Sequence, residues 1–225
     1  MQLWLASGLA LISLALPVGW AWLNKNPSFD NLKQRWPGRA AEFFYFIGLP
    51  YLALITGLLP ARLLGLKGLE HFLALTFTNL SQAVILWLGE CLVDVGPMLG
   101  AGLVALAVSG GVTWGLSQAS IGPVTAPASA GHTLYQTIHW AFYWAIFWLI
   151  TSDLYLGVVL GSAWVILEEG LIARLQASPL LATSPLFIKL MVLLLTSAVF
   201  FYRPNVWLLW PIHLVLTMMV SKYLE

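Results

Sequence analysis

Charged side chains are scarce in this 225-residue sequence. Asp, Glu, Lys and Arg together make up 8% of the residues, whereas apolar residues make up 60%. Soluble globular domains carry about 25% charged residues, so the composition excludes an ordinary soluble protein and favours an integral membrane protein. The net charge of +1 offers no basic surface for nucleic acid, which we exclude as a partner.

Cysteine is nearly absent as well, because Cys91 is the only one. An internal disulfide needs two cysteines, so the sequence contains no disulfide framework and does not indicate a redox compartment. A cleaved secretion signal is not expected either. The apolar start of the chain has no basic residue and continues to Trp22 without a small-residue cleavage site. We expect this segment to be retained as a helix.

Long apolar windows are abundant, and a helix needs about 20 mainly apolar residues to span a bilayer. Polar and Pro/Gly breaks separate eight windows: 2–23, 43–64, 71–90, 97–117, 134–151, 154–173, 185–202 and 205–222. The third is half polar, so it is alternatively a buried or interfacial helix. The predicted fold is an all-α, polytopic integral membrane helix bundle with about eight transmembrane helices.

Two polar connections organise the chain. The segment from Asn24 to Ala40 contains four basic residues, Lys25, Lys33, Arg35 and Arg39. The positive-inside rule places this loop in the cytoplasm and, with eight spans, both termini outside. Residues 118–133 are uncharged and rich in Pro, Ala, Ser and Gly, which predicts a flexible loop. We therefore expect N-terminal transmembrane helices in 1–117 and a C-terminal four-helix part in 134–225.

Two adjacent glutamates, Glu168 and Glu169, follow an apolar run in the sequence WVILEEGLIARL. An ionised carboxylate at the centre of a bilayer costs about 3 kcal/mol or more, so it usually faces the bundle interior or lies near an interface. Helical spacing places Glu168 on one face with Gly157 and Gly161, a small-xxx-small pattern that allows another helix to approach closely. We expect Glu168 to point into packed protein.

The remaining acidic and basic groups of this stretch have two interpretations. Glu169 and Arg174 either mark the water interface at the helix end or belong to a functional site. Intramembrane charges are functional by default, which keeps the second interpretation open.

A polar stripe precedes the glutamates. His132, Tyr135, His139 and Tyr143 are spaced by three, four and four residues, which places them on one helical face. His139 lies well inside its apolar window among aromatic residues. It is either a neutral imidazole bonded to Tyr, Ser or a backbone carbonyl, a proton-transfer group, or a ligand for a metal, haem or chlorophyll.

The last apolar window contains His213, two residues after Pro211, which tends to kink a helix. Thr217 lies one turn further on the same face. We expect that Glu168, His139 and His213, from three separate helices, are able to converge into one site.

The order EEGLIAR, then a Pro-associated HLVLT on the final helix, resembles the CAAX-prenyl endopeptidase and bacteriocin self-immunity family of intramembrane proteases. That family has Glu-Glu-x-x-x-Arg, Phe-x-x-x-His and His-x-x-x-Asn/Asp motifs and usually eight helices. The resemblance lies within Leu134 to Glu225. With Arg174 on the family's arginine, Gly170 replaces the second glutamate. No histidine lies between Arg174 and His213, and Thr217 replaces the Asn or Asp.

This resemblance implies two competing functions. The favoured one is a non-catalytic member of the fold, a subunit or assembly factor of a membrane complex. It would contact lipid and other membrane proteins through helix faces around Gly111, Gly115, Gly157 and Gly161 and would need no cofactor.

The alternative is an intramembrane endopeptidase. Its catalytic residues would be Glu168, Glu169, Arg174, His213 and His139, with a glutamate activating water. Haem or chlorophyll at His139 is a further option, with no other metal expected. Both functions place the protein in the cell inner membrane or in a photosynthetic or respiratory membrane.

Overall fold

The computed structural model describes residues 2–25, 38–73, 80–117, 129–175 and 184–223. Within these ranges the chain is helical and has no strand, which confirms the all-α prediction. The elements are α1 (Gln2–Lys25), α2 (Gly38–Phe43), a π-helical segment (Phe44–Gly48), α3 (Leu49–Ile55), α4 (Leu69–Leu73), α5 (Leu80–Ser117), α6 (Ala130–Thr151), α7 (Leu154–Leu175), α8 (Ser184–Tyr202) and α9 (Val206–Tyr223).

Three helices of the described part are long and apolar enough to cross a bilayer. They comprise Leu3–Leu23, Leu80–Gly115 and Leu154–Leu175. Three shorter apolar helices accompany them, Phe44–Ile55, Lys189–Tyr202 and Val206–Val220. This composition is compatible with a membrane protein, but the predicted number of about eight spans is not confirmed.

The boundary predicted between helices 71–90 and 97–117 is wrong. A single helix, α5, runs from Leu80 through Pro97 to Ser117. Proline lacks only one amide donor, the one that would bond to the carbonyl of Val93, and long apolar helices tolerate this loss. The short helix α4 is separate, and residues 74–79, most of the polar part of the predicted third window, lie outside the described residues.

The predicted helix 43–64 is also too long, because α3 ends at Ile55. Gly57, Gly65 and Gly68 adopt positive φ angles of 70°, 70° and 73°, a conformation that favours glycine and ends a helix. Much of the irregular segment 56–68 is nevertheless covered by protein, as at Leu59, Leu64 and Gly65. A Cβ at Gly65 would lie 2.8 Å from the ring of Phe200. Irregular backbone at membrane depth requires such cover.

Helix α6 forms the centre of the core. Its residues from Trp140 to Ile146 are all buried. α1, α7, α9 and the π-helical segment pack around it, and α5 packs on α8 and α9. Helices from both predicted parts of the chain therefore share one core.

The loop predicted at 118–133 ends earlier than expected. Ser129 caps α6 by accepting a hydrogen bond from the His132 amide, and Ala130 to Thr133 are already helical. Residues 118–128 lie outside the described residues.

Candidate functional site

Glu168 lies at the centre of a buried polar cluster and is only 5% exposed. The hydroxyl of Tyr143 on α6 donates to its Oε2 at 2.6 Å, and the hydroxyl of Tyr45 in the π-helical segment donates to Oε1. Ser13 on α1 lies 2.9 Å from the Tyr143 oxygen. Because the Tyr143 hydrogen is directed at Glu168, Ser13 is the donor in that pair. We call Ser13, Tyr45, His139, Tyr143 and Glu168 the carboxylate cluster.

Glycines on α7 bring Glu168 to this position. A Cβ at Gly157 would lie 2.5 Å from the backbone nitrogen of Trp148, and one at Gly161 would lie 2.8 Å from that of Trp144. α7 therefore lies directly on the backbone of α6. Glu168 shares this glycine face and is carried against Tyr143, so the prediction of an inward-facing glutamate is confirmed.

The polar stripe of α6 faces the π-helical segment. The ring centroid of Phe46 lies 6.0 Å from the ring centroid of His132, 6.3 Å from that of Tyr135 and 5.3 Å from that of His139. The ring centroids of Tyr45 and His139 are 4.2 Å apart. The predicted common face is confirmed, and Tyr45 is the residue that sequence reasoning missed. π-Helical turns occur often at functional sites, but this one has no clear sequence signal.

His139 is enclosed by aromatic rings and is 2% exposed. Besides Tyr45 and Phe46, the rings of Phe142 and Tyr143 lie 6.0 Å and 4.8 Å away. Neither ring nitrogen has a hydrogen-bond partner among the described residues. A haem or chlorophyll ligated by His139 would have to displace these rings, so the packing does not fit a macrocycle.

The described residues also contain no group of three His, Cys, Asp or Glu side chains close enough to hold a metal ion.

His213 lies in a different environment. Its Nδ1 is 2.7 Å from the Thr137 hydroxyl, and its ring stacks on Trp140 at 4.6 Å. Thr137 donates its own hydrogen to the Thr133 carbonyl, so His213 donates through Nδ1. Thr137 and Trp140 lie on a different face of α6 from His139 and Tyr143. Glu168 and His213 therefore share no hydrogen-bond or ring partner among the described residues.

The other motif residues are separated too. Glu169 forms an ion pair with Lys189 of α8. Arg174 is exposed in the last turn of α7 and has no ion pair among the residues that the structure describes. Thr217 donates to the backbone carbonyl of His213 at 2.8 Å. The motifs behind the family resemblance thus occupy four separate environments.

A second buried charged group escaped the sequence analysis. Asp94 on α5 is 1% exposed, and its Oδ2 lies 2.5 Å from Lys67 Nζ and 3.1 Å from Asn205 Nδ2. Arg203 Nη1 lies 3.8 Å from Oδ1. Asp94 follows an apolar run as Glu168 does, so the rule for intramembrane charges would have singled it out. Its partners come from the irregular segment and from the link between α8 and α9.

We expect Glu168→Gln to lower the stability of the detergent-extracted protein more than Glu169→Gln. The amide nitrogen of glutamine cannot accept a hydrogen bond, so one tyrosine hydroxyl loses its charge-assisted acceptor. This loss costs about 1–3 kcal/mol. Glu169 is paired with Lys189 at the edge of the bundle, where an ion pair contributes less. Thermal unfolding of both variants tests this, and equal, negligible losses would contradict it.

The arrangement places an acid, Glu168, and a base, His139, against the same two tyrosines in the buried interior. Two cavities of the described part, of about 240 and 480 Å³, are lined by other residues, between α3 and α9 and between α7 and α8. Neither lining includes Glu168 or His139.

Protein-family models, characterised proteins and solved structures were compared with this chain, and none of them matches it.

Proposed function

We propose that this chain is a non-catalytic integral membrane protein that acts as a subunit or assembly factor of a membrane protein complex. Its fold would be related to that of the CAAX-prenyl endopeptidase and bacteriocin self-immunity family. The observation that supports this most directly is the outward face of α5, along which small residues are exposed.

Small residues follow one another along this face, which we call the α5 glycine face. Its exposed members are Gly89, Gly96, Gly100, Ala107, Gly111 and Gly115. A Cβ at any of these glycines would have no atom within 4 Å. Large apolar side chains flank the face, with Val93 and Leu103 exposed by 70% and 66%. Membrane helices associate through such small-residue surfaces because their backbones approach closely there.

The opposite face of α5 shows how the same chain uses glycine in its own packing. A Cβ at Gly102 would lie 3.1 Å from Ile212, and one at Gly110 would lie 3.0 Å from Met219, both on α9. Glycines therefore make the helix contact on the inner side of α5, whereas the glycines of the outer side have no such contact among the described residues.

The four glycines proposed from sequence as partner contacts divide into two pairs. Gly157 and Gly161 are buried against Trp148 and Trp144 of the chain's own α6, so that face is not available to a partner. Gly111 and Gly115 remain exposed on the α5 glycine face. The proposed partner surface accordingly lies on α5.

The dispersed motif residues support a non-catalytic role. Both oxygens of Glu168 accept hydrogen bonds from tyrosines, Glu169 is neutralised by Lys189, and His213 is bonded to Thr137. A general base must reach the proton that it removes, and the other groups must surround the same substrate atom. These side chains do not meet around one atom.

We expect the double change Gly100→Leu and Gly111→Leu to release the protein from its assembly. The added side chains keep a partner helix from approaching, whereas they have open space within the chain itself. Native mass after extraction in a mild detergent measures the effect. Gly8→Leu on α1 is the matched control, since a Cβ there also has no atom within 4 Å.

Wild-type protein recovered as a solitary particle would contradict the subunit function. Recovery in an assembly whose mass the double variant does not change would contradict the assignment of the α5 glycine face.

One observation favours the alternative, an intramembrane endopeptidase. His139 lies unpaired beside the tyrosines that hold Glu168, so an acid and a base are available in one buried place. A solitary wild-type particle that cleaves a membrane peptide, with cleavage abolished by Glu168→Gln and retained by Glu169→Gln, would establish this function instead.

A further inference from the structure

Glu168 has no cationic partner in the described part of the chain. The ion pairs there involve Asp94, Glu90, Glu42 and Glu169. The neighbouring lysine, Lys189, is bound by Glu169. A buried carboxylate without a countercharge is unfavourable by several kcal/mol, and such groups are commonly neutralised by a proton.

His139 provides the second proton acceptor of the carboxylate cluster. Its ring contacts Tyr45 and Tyr143, whose hydroxyls both donate to Glu168. Both of its nitrogens are buried and lack a partner among the described residues. An imidazole is the side chain that changes charge most readily near neutral pH. The cluster thus brings an acid and a base against the same two tyrosines.

We propose that Glu168 and His139, linked by Tyr45 and Tyr143, form a proton-binding site inside the membrane protein. One proton from the aqueous phase bonds to a carboxylate oxygen of Glu168, and His139, the second acceptor beside it, shifts the affinity for that proton. The charge of the cluster rises by one unit, and no other covalent bond changes. This site goes beyond the proposed subunit function and does not depend on it.

Proton uptake changes the hydrogen bonds between four elements. While Glu168 is ionised, both tyrosine hydroxyls donate to it. A protonated carboxyl oxygen becomes a donor, so one tyrosine has to redirect its hydrogen. Tyr45 belongs to the π-helical segment, and Tyr143 is bonded to Ser13 of α1. The proton therefore alters how these two elements are held against α6 and α7.

Two ion pairs lie around the cluster in the described residues, and one of them joins His132 of α6 to Glu42 of α2 at 3.4 Å. Glu169 and Lys189, on α7 and α8, form their own pair at its edge. Ser13 is the contact from α1 and carries no charge. The side of α6 that faces α9 contacts His213, which is bonded to Thr137 and stacked on Trp140.

The test is pH-induced infrared difference spectroscopy of the full-length protein in lipid vesicles. On acidification we expect a carbonyl band from one protonated carboxyl group, together with a tyrosine change that has the same pH midpoint. Glu168→Gln removes both signals, and Glu169→Gln, the matched control, keeps them. His139→Phe moves the midpoint by about one pH unit or more, about tenfold in proton affinity.

Three results would overturn the proposal. They are the absence of a carboxyl band in the wild type, a band that persists in Glu168→Gln, and a midpoint that is unchanged in His139→Phe. If Glu168→Gln does not fold, Tyr45→Phe and Tyr143→Phe replace it. Each keeps the ring and removes one hydroxyl, so each must shift the carboxyl band. A band that neither variant shifts also rejects the site.

Discussion

Replacing Gly157 by alanine destabilises this protein by about 3 kcal/mol, at the upper end of the usual cost of overpacking. The new Cβ would lie 2.5 Å from both the nitrogen and the Cα of Trp148, which are backbone atoms and cannot rotate away. α7 would have to move off α6, the buried centre of the core. Gly161→Ala acts in the same direction, because its Cβ would lie 2.8 Å from the Trp144 nitrogen.

The measurement is the thermal unfolding temperature of the detergent-solubilised variants, which should fall by several degrees. Gly100→Ala and Gly111→Ala on the α5 glycine face are the matched controls. Both positions are helical glycines, and no atom lies within 4 Å of the new Cβ. Their unfolding temperatures should stay close to that of the wild type. Unfolding temperatures that fall equally at buried and exposed glycines would show that helix propensity, rather than close packing, determines the result.

Replacing Asp94 by alanine is expected to cost about 3–5 kcal/mol, the range for breaking a buried ion pair. Lys67, whose side chain is 21% exposed, would lose its carboxylate, and Asn205 would lose its acceptor. The irregular segment 56–68 and the link between α8 and α9 are both attached to α5 through this carboxylate. We therefore expect a lower yield of monodisperse protein as well as a lower unfolding temperature.

Glu90→Ala is the matched control for Asp94→Ala. Glu90 lies one turn earlier on α5 and bonds to His71, but the two side chains are 41% and 27% exposed. Exposed pairs contribute about 0–1 kcal/mol. The double change Asp94→Leu and Lys67→Met should recover much of the lost stability, because apolar pairs replace buried ion pairs well. A double variant less stable than Asp94→Ala would contradict an ion-pair origin.

Regular periodicity explains which parts of the fold were predictable. The stripe from His132 to Tyr143 and the common face of Gly157, Gly161 and Glu168 follow from helical geometry within one segment. Both were predicted correctly, as was the burial of Glu168. The helix ends were less predictable. Pro97 does not end α5, whereas α3 stops at Ile55 before glycines with positive φ.

The partners of the buried polar groups were not predictable in the same way. Tyr45 lies 123 residues before Glu168, and Asn205 lies 111 residues after Asp94. Neither residue stands out in the sequence, since tyrosine is common in aromatic membrane helices and Asn205 lies in the short link between α8 and α9. Whether Glu168 and His213 meet could not be read from the sequence for the same reason, because helical faces can be read from one segment but their neighbours cannot.

Sequence reasoning was enough to predict helices, many apolar segments and little charge, an inward-facing Glu168, and a helical face shared by His139 and Tyr143. Those properties depend on composition and on the local geometry of a helix. The three-dimensional packing was needed to show that Tyr45 and Tyr143 bind Glu168, that Asp94 binds Lys67, and which glycine face is filled from within the chain. Apolar side chains pack equally well against lipid and protein, so composition does not select a helix's neighbours. Close packing and buried hydrogen bonds make that selection.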